Sequence, residues 1–252
     1  MAHMPTLTVV TAVYNNRAFI REAIASILAQ DYPHIELVVV DGGSTDGTLE
    51  VLKGFGARIA SLVSEPDGGV YDALNKGIAR ANGDVIAFLH SDDIYQSPDA
   101  VSSVMLRLED ASTDAAYGDL VYVDRADDKR VIRTWRSGTF TRVDLWTGWM
   151  PPHPAFFMRR SRYLEWGGFD VTFRIAGDYD AFLRYLWTHR ARCVYVQKTL
   201  VRMRLGGVSN RSVGSLLRKS SEDARALVKN GIPPFPAIVL KPLRKVSQYW
   251  KS

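Results

Sequence analysis

The strongest constraint on this chain is a rhythm in its first ninety residues. Short runs of β-branched and apolar residues alternate with stretches whose apolar positions recur every three or four residues. The short runs are Leu7 to Val13, Ile35 to Val40, Ile59 to Ser64 and Val85 to Leu89. They read as strands buried on both sides, because they offer no regular polar face. Between them, Phe19, Ile20, Ala23, Ile24, Ile27 and Leu28 form one helical stripe, Thr48 to Phe55 a second helix, and Val70, Leu74, Ile78 and Ala81 a third stripe. Strands separated by helices of this length predict an α/β fold with a parallel sheet and right-handed crossovers. In such sheets a ligand binds beyond the carboxyl ends of the strands. Tyr14-Asn15, Asp41 and Asp92-Asp93 each follow a strand, so topology alone gathers them on one edge.

The second half is less regular. Ala115 to Val123 and Val131 to Trp135 read as strands joined by the charged turn Arg125 to Lys129, and Ala155 to Met158 as a short strand. Tyr179 to His189 reads as a helix, Val194 to Val196 and Leu200 to Leu205 as two further strands, and Val213 to Lys229 as a helix. Pro233, Pro234 and Pro236 are expected to break the chain before a basic tail. With 252 residues, 46% of them apolar, the chain can bury a large core and is not disordered. Its one cysteine, Cys193, excludes an internal disulfide and a thiolate zinc site, and fits a reducing, cytoplasmic compartment. No apolar run reaches the roughly 18 residues of a membrane span.

Several residues carry chemistry by type and position. Two adjacent carboxylates after a buried strand, Asp92 and Asp93, are costly to desolvate unless something neutralises them. A divalent cation would do so, and hard oxygen ligands select Mg²⁺ or Mn²⁺, ions that commonly bridge a carboxylate to a diphosphate. The same pair would also serve as a helix cap. Asp41 could accept hydrogen bonds from a nucleobase imide or a ribose hydroxyl, or cap the turn that follows it. The loop Gly42-Gly43-Ser44-Thr45-Asp46-Gly47 matches neither a phosphate-binding P-loop nor a dinucleotide fingerprint, which disfavours a nicotinamide oxidoreductase.

These residues also carry a resemblance. Val9-Val10-Thr11-Ala12-Val13-Tyr14-Asn15, then Ile35 to Asp41 with Gly42-Gly43-Ser44-Thr45-Asp46-Gly47-Thr48, then Glu65-Pro66-Asp67-Gly68-Gly69 to Gly77, and finally Leu89-His90-Ser91-Asp92-Asp93 resemble the ordered motifs of the family 2 glycosyltransferases. The resemblance implies a GT-A fold, a Rossmann-like and mostly parallel sheet with flanking helices, and an inverting enzyme of the bacterial surface-polysaccharide type. It implies nucleotide contacts for Thr11, Val13, Tyr14, Asp41 and Asp92, with Asp67, Asn75 and Lys76 as further candidates. It implies metal contacts for Asp93 with Asp92, and a catalytic base at Asp178. The position before that base is Gly177, where the family often carries a second acid, so only one carboxylate is expected there. His153 would lie near the mouth, in contact with diphosphate or acceptor. Ser209, in Gly206-Gly207-Val208-Ser209-Asn210, would belong to a loop closing over the diphosphate. Trp149 and Trp146 could stack on a sugar, although core packing is the commoner fate of tryptophan.

The domain reading follows. Residues 5–210 form the glycosyltransferase domain, with a nucleotide-binding half at 5–95 and an acceptor-binding half at 96–210; residues 211–252 form a basic helical extension. The extension carries nine Lys/Arg against Glu222 and Asp223, a surplus above the +5 of the whole chain, so the remainder is slightly acidic. A basic segment with interspersed apolar residues could lie on an anionic membrane or pack on the domain. The expected partners are a UDP-, dTDP- or GDP-linked sugar donor and a saccharide or lipid-linked acceptor, with no nucleic acid. The rival readings are a metal-dependent nucleotidyltransferase, whose basic Gly-rich activating loop is not found, and a non-catalytic sugar-nucleotide or glycan-binding protein.

Overall fold

The computed structural model describes residues 4–206 and 213–246. The N-terminal half builds the expected alternation: β1 (Leu7–Val13), α1 (Ile20–Leu28), β2 (Ile35–Asp41), α2 (Thr48–Lys53), β3 (Ser61–Ser64), α3 (Val70–Arg80) and β4 (Val85–Phe88). The four strands pair in parallel in the order β3-β2-β1-β4. Successive residues divide between the two faces. Val10, Ala12, Val38, Val40, Ile86 and Phe88 pack with Leu74 and Ile78 of α3. Val9, Leu37, Val39, Val85 and Ala87 pack with Ile20, Ile24 and Ile27 of α1. Both faces are covered, which is why these strands read as unbroken apolar runs.

The second half adds β5 (Ile94–Tyr95), α4 (Ala100–Met105), β6 (Ala115–Val123), β7 (Val131–Trp135), α5 (Arg142–Trp146), β8 (Phe156–Arg159), α6 (Arg160–Trp166), α7 (Gly177–Phe182), β9 (Cys193–Arg204), α8 (Val213–Lys229) and α9 (Pro234–Val246). It widens the sheet past β4 with β8, then β6, β9 and β5, while β7 pairs with the other part of β6. β8 runs antiparallel to both β4 and β6, and β9 returns parallel to β6. The two strands expected near Val194 and Leu200 are one twelve-residue strand, β9, whose pairing with β6 absorbs register shifts near Gly118. The helix expected over Tyr179–His189 starts two residues earlier as α7 and loosens into a π-helical stretch at Leu183–Thr188.

The C-terminal extension is folded onto the domain. α9 crosses the end of α5 at Gly148, where a Cβ would stand 2.5 Å from that of Lys241; this glycine also has φ +81°, a region that disfavours other residues. The proline cluster does interrupt the helical structure: α8 ends at Lys229, residues 230–233 turn the chain, and Phe235 kinks the start of α9 before its helix runs on to Val246.

Candidate active site

The carboxyl ends of β1 and β2 are level, with Val13 opposite Asp41, and Val10 pairs with Phe88 of β4. The loops that follow are therefore neighbours, and short polar side chains tie them together. Asn16 donates from Nδ2 to Ser91 Oγ at 2.8 Å, and the Asn15 N–H donates to Ser44 Oγ at 2.8 Å. Asn15 Oδ1 in turn accepts the Thr45 N–H at 2.8 Å. Tyr14, Asp41 and Asp92-Asp93 thus share one edge, as topology required.

Asp41 is fully buried. Its Oδ2 accepts the Ser44 N–H at 3.1 Å and the Ser64 hydroxyl at 2.6 Å, and its Oδ1 accepts the Ser44 hydroxyl. One acceptor position remains on Oδ1 for a ligand donor. At the next residue, Gly42, the chain meets the exposed ring of Tyr14 and the carboxylate of Asp67. Gly42 lies between them, and a Cβ there would fall 2.6 Å from Asp67 Oδ2 and 3.4 Å from the Tyr14 ring. Asp67 uses Oδ1 to accept the Gly69 N–H at 2.8 Å. Thr11 and Val13 lie buried within β1, and Thr11 Oγ1 has no hydrogen-bond partner among the described residues.

Asp93 is the most anomalous group in the protein. It is fully buried, and neither carboxylate oxygen has a hydrogen-bond partner among the described residues. Burial pushes its carboxyl well above the ordinary range, the charge of Asp92 adds to this, and Arg204, through its backbone N–H first and then its charge, offsets it only in part. Asp92 is partly exposed, with Arg125 Nη1 3.6 Å from its Oδ2 and Arg204 donating to its carbonyl at 2.9 Å. An orphaned carboxylate beside a second one fits a hard divalent cation. Among the described residues no group of three or more His, Cys, Asp or Glu could hold a metal. The donor set is thus two carboxylates, and an ion here would complete its shell with diphosphate oxygens and water.

Asp178 opens α7. Its Oδ1 accepts the Tyr179 N–H at 2.8 Å, and the Tyr71 hydroxyl stands 3.5 Å from it while donating to the Ile175 carbonyl at 2.7 Å. Burial raises its carboxyl, while Lys241 and then Lys219 draw it back. His90 connects this carboxylate to the acidic pair: burial lowers its imidazole, and the charges of Asp92 and Asp178 both act against that shift. Tyr122, raised mainly by burial, also feels both Asp93 and Asp178. His90 and Tyr122 thus lie within electrostatic reach of both the acidic pair and Asp178.

Other expected residues have different places. Trp149 is in the core, stacked on Phe140 at 4.4 Å with Nε1 donating to the Ser137 carbonyl at 3.1 Å, so it offers no platform to a sugar. Asn75 is a structural clamp: its Nδ2 donates to the Phe169 carbonyl and its Oδ1 accepts the Phe169 N–H, each at 2.8 Å. This leaves its amide little to offer a nucleotide. Lys76 pairs with Glu65 at 2.9 Å and Asp72 at 3.4 Å. His153 is buried behind His90 rather than at the mouth, stacked on Phe88 at 5.0 Å with its ring 5.5 Å from His90. Burial holds its imidazole well below the usual value, so it is neutral, and its Nε2 has no partner among the described residues. Ser209 lies outside the described residues.

Sequence reasoning passed over His90, Arg204 and Lys241. Only His90 had a local signal, two residues before Asp92. Arg204 is buried and bonds Glu22 as well as Asp92, contacts that link β9 to α1 and to the β4 loop.

Comparisons with known proteins bear on the family and the fold. The Glycosyl transferase family 2 profile matches residues 8–175. An uncharacterized glycosyltransferase of Mycobacterium tuberculosis is 35% identical over 192 residues, covering 73% of this chain and 70% of the relative. A PGL/p-HBAD biosynthesis glycosyltransferase of the same species is 30% identical over 184 residues, covering 71% and 69%. Among solved structures, the mannosyltransferase PcManGT from Pyrobaculum calidifontis, in complex with GDP-Man and Mn²⁺, superposes with TM-score 0.67 over 95% of this chain and 69% of its own. At 20% identity that likeness speaks for the fold. The strand-edge carboxylates, the sheet that carries them and the matched relatives converge: the chain belongs to the family 2 glycosyltransferases.

Proposed function

We propose that this glycosyltransferase transfers a sugar from a nucleoside-diphosphate donor to a saccharide or lipid-linked acceptor, with inversion, in bacterial surface-polysaccharide synthesis. The observation that carries the reading is Asp93, a fully buried carboxylate beside Asp92 with neither oxygen hydrogen-bonded among the described residues. Asp41, Tyr14 and Asp67 would hold the nucleoside, and Asp92 and Asp93 would hold Mg²⁺ or Mn²⁺ with the diphosphate. A divalent ion bound there supplies Lewis acidity for the departing diphosphate. Asp178 accepts the proton of the acceptor hydroxyl as its oxygen bonds to the anomeric carbon and the bond from that carbon to the diphosphate oxygen breaks. The raised proton affinity of Asp178 suits a base.

The test is calorimetric titration with UDP, dTDP and GDP, each with Mn²⁺ and with EDTA. One nucleotide should bind, and EDTA should weaken it at least roughly tenfold. Failure of all three to bind the folded protein overturns the donor assignment. For the acceptor side, we infer contact with a lipid surface at the cytoplasmic face of the membrane. Val239 and Leu243 stand one helical turn apart on α9 and are exposed, with exposed Phe235 ahead of them. No helix among the described residues is long and apolar enough to cross a membrane.

A further inference from the structure

Asp178 sits in a segment held from outside its own half of the domain. Three successive N–H groups, of Arg174, Ile175 and Ala176, converge on the carboxylate of Glu222 in α8, at 3.1, 2.8 and 2.9 Å. Arg225 of α8 covers the Phe173 ring at 3.9 Å and donates to the Thr172 carbonyl at 2.9 Å. Asp180, fully buried two residues after the base, accepts from Lys229 Nζ and from Asn230 Nδ2, each at 3.1 Å. Lys241 of α9 lies 3.3 Å from the centre of the Tyr179 ring and donates to Asp223 at 2.8 Å. The segment from 172 to 180 is therefore fastened on both sides of Asp178 by α8, α9 and the turn between them. These fasteners lie beyond residue 175, where the family match ends.

We propose that the C-terminal helical pair is the positioning element of the catalytic base: Glu222 fixes the backbone leading into α7, and Lys241, oriented by Asp223 and seated on the ring of Tyr179, brings its ammonium group to the residue next to Asp178. This rests on the reading of Asp178 as the base.

Burial alone favours a protonated carboxyl at Asp178. The charged and titratable groups facing it are Lys219 and Asp223 of α8, Lys241 of α9, His90 after β4, Tyr71 of α3 and Tyr122 of β6. Of these, Lys241 leads in opposing the burial effect, Lys219 follows, and Asp223 acts the other way. Lys241 is itself nearly buried, so its charge is little screened by water. Glu222 is suited to its part: burial pushes its carboxyl up, but the N–H groups of Ala176, Ile175 and Arg174 together more than offset this, so it is an anion at neutral pH.

The test reads Asp178 directly, by carbon NMR titration of the aspartate-labelled full chain with Asp178→Asn for assignment. In Lys241→Met the Asp178 midpoint should move to higher pH, and Lys241→Arg should restore it. Release of nucleoside diphosphate from UDP-glucose, dTDP-glucose or GDP-mannose should lose at least about tenfold in kcat near pH 6, with donor KM within roughly twofold. Glu222→Gln should speed amide exchange at 174–176 and lower kcat without weakening nucleotide binding. An unmoved Asp178 midpoint in folded Lys241→Met, or a Glu222→Gln protein that loses thermal stability and nothing else, overturns the proposal. Should Lys241→Met not fold, Lys241→Gln carries the same titration. Full turnover in Asp178→Asn would instead sink the base assignment, and the NMR titration would still report on Lys241.

Discussion

Asp93 and Asp178 are both carboxylates raised by burial, yet their surroundings suit them to the different tasks proposed for them. Asp178 has compensating lysines and one accepted N–H, so it can exchange a proton. Asp93 has no hydrogen-bond partner among the described residues and the like charge of Asp92 beside it, so it asks for a cation. Asp178→Asn should reduce transfer by at least about a hundredfold while nucleotide affinity, read by calorimetry, stays near wild type. Asp93→Asn should do the reverse for binding, removing the part of nucleotide affinity that depends on Mn²⁺. It should also stabilise the metal-free fold. Because the folded-state value of Asp93 is raised, its ionisation costs stability as pH rises above the ordinary carboxylate range. The variant's Tm should therefore exceed wild type at pH 8 in EDTA, by roughly 2–4 °C per kcal/mol recovered, and the gap should close as pH falls toward about 4. Added Mn²⁺ should raise the Tm of wild type and leave that of Asp93→Asn unchanged; equal responses in scanning calorimetry would refute the metal role of Asp93.

At the scale of elements, α3 must lie close on β1 for the strand ends and the site to register. Gly77 is the contact: a Cβ there would stand 2.2 Å from Val10 Cγ1. Both partners are core, so neither can yield cheaply. Gly77→Ala should destabilise the protein by about 1–3 kcal/mol, visible as a lower midpoint in urea unfolding with an unchanged slope. The first-half strands were readable because burial on both faces leaves a continuous β-branched run and the following residues must turn. β9 was less readable: its twelve residues include Gln197, Lys198 and Thr199, polar positions that broke the apolar pattern into two. Pairing with β6 on either side, Tyr117 with Tyr195 and Asp119 with Thr199, carries the strand across this irregular stretch, a long-range cause that no local window contains.

For the whole molecule, the decisive feature is internal charge matching. The basic extension meets the slightly acidic body: Lys229 binds Asp170 at 2.7 Å and Asp180, Arg244 binds Asp144 at 2.9 Å, and Lys241 binds Asp223 within the extension itself. Part of the surplus that looked available to an anionic membrane is thus paired with the body. If α9 contacts lipid, its apolar side must do it. Pairing Val239→Ser with Leu243→Ser should cut co-sedimentation with phosphatidylglycerol vesicles at least about fivefold, and raising salt to about 0.5 M should change wild-type binding little. Strong loss with salt and none with the double substitution would reverse that assignment.

By itself the sequence determined the parallel half of the sheet, its family, and the edge on which Tyr14, Asp41, Asp92 and Asp93 meet. Those follow from local patterns, because hydrophobic period sets each element and chain direction sets where each strand ends. The tertiary structure alone decided which carboxylate is orphaned, that Trp149 and Asn75 serve the core and a backbone clamp, and that residues after 213 hold Asp178 in place. These depend on which distant groups arrive beside a side chain, and so on burial and field. Neither can be read from a residue's neighbours in the chain.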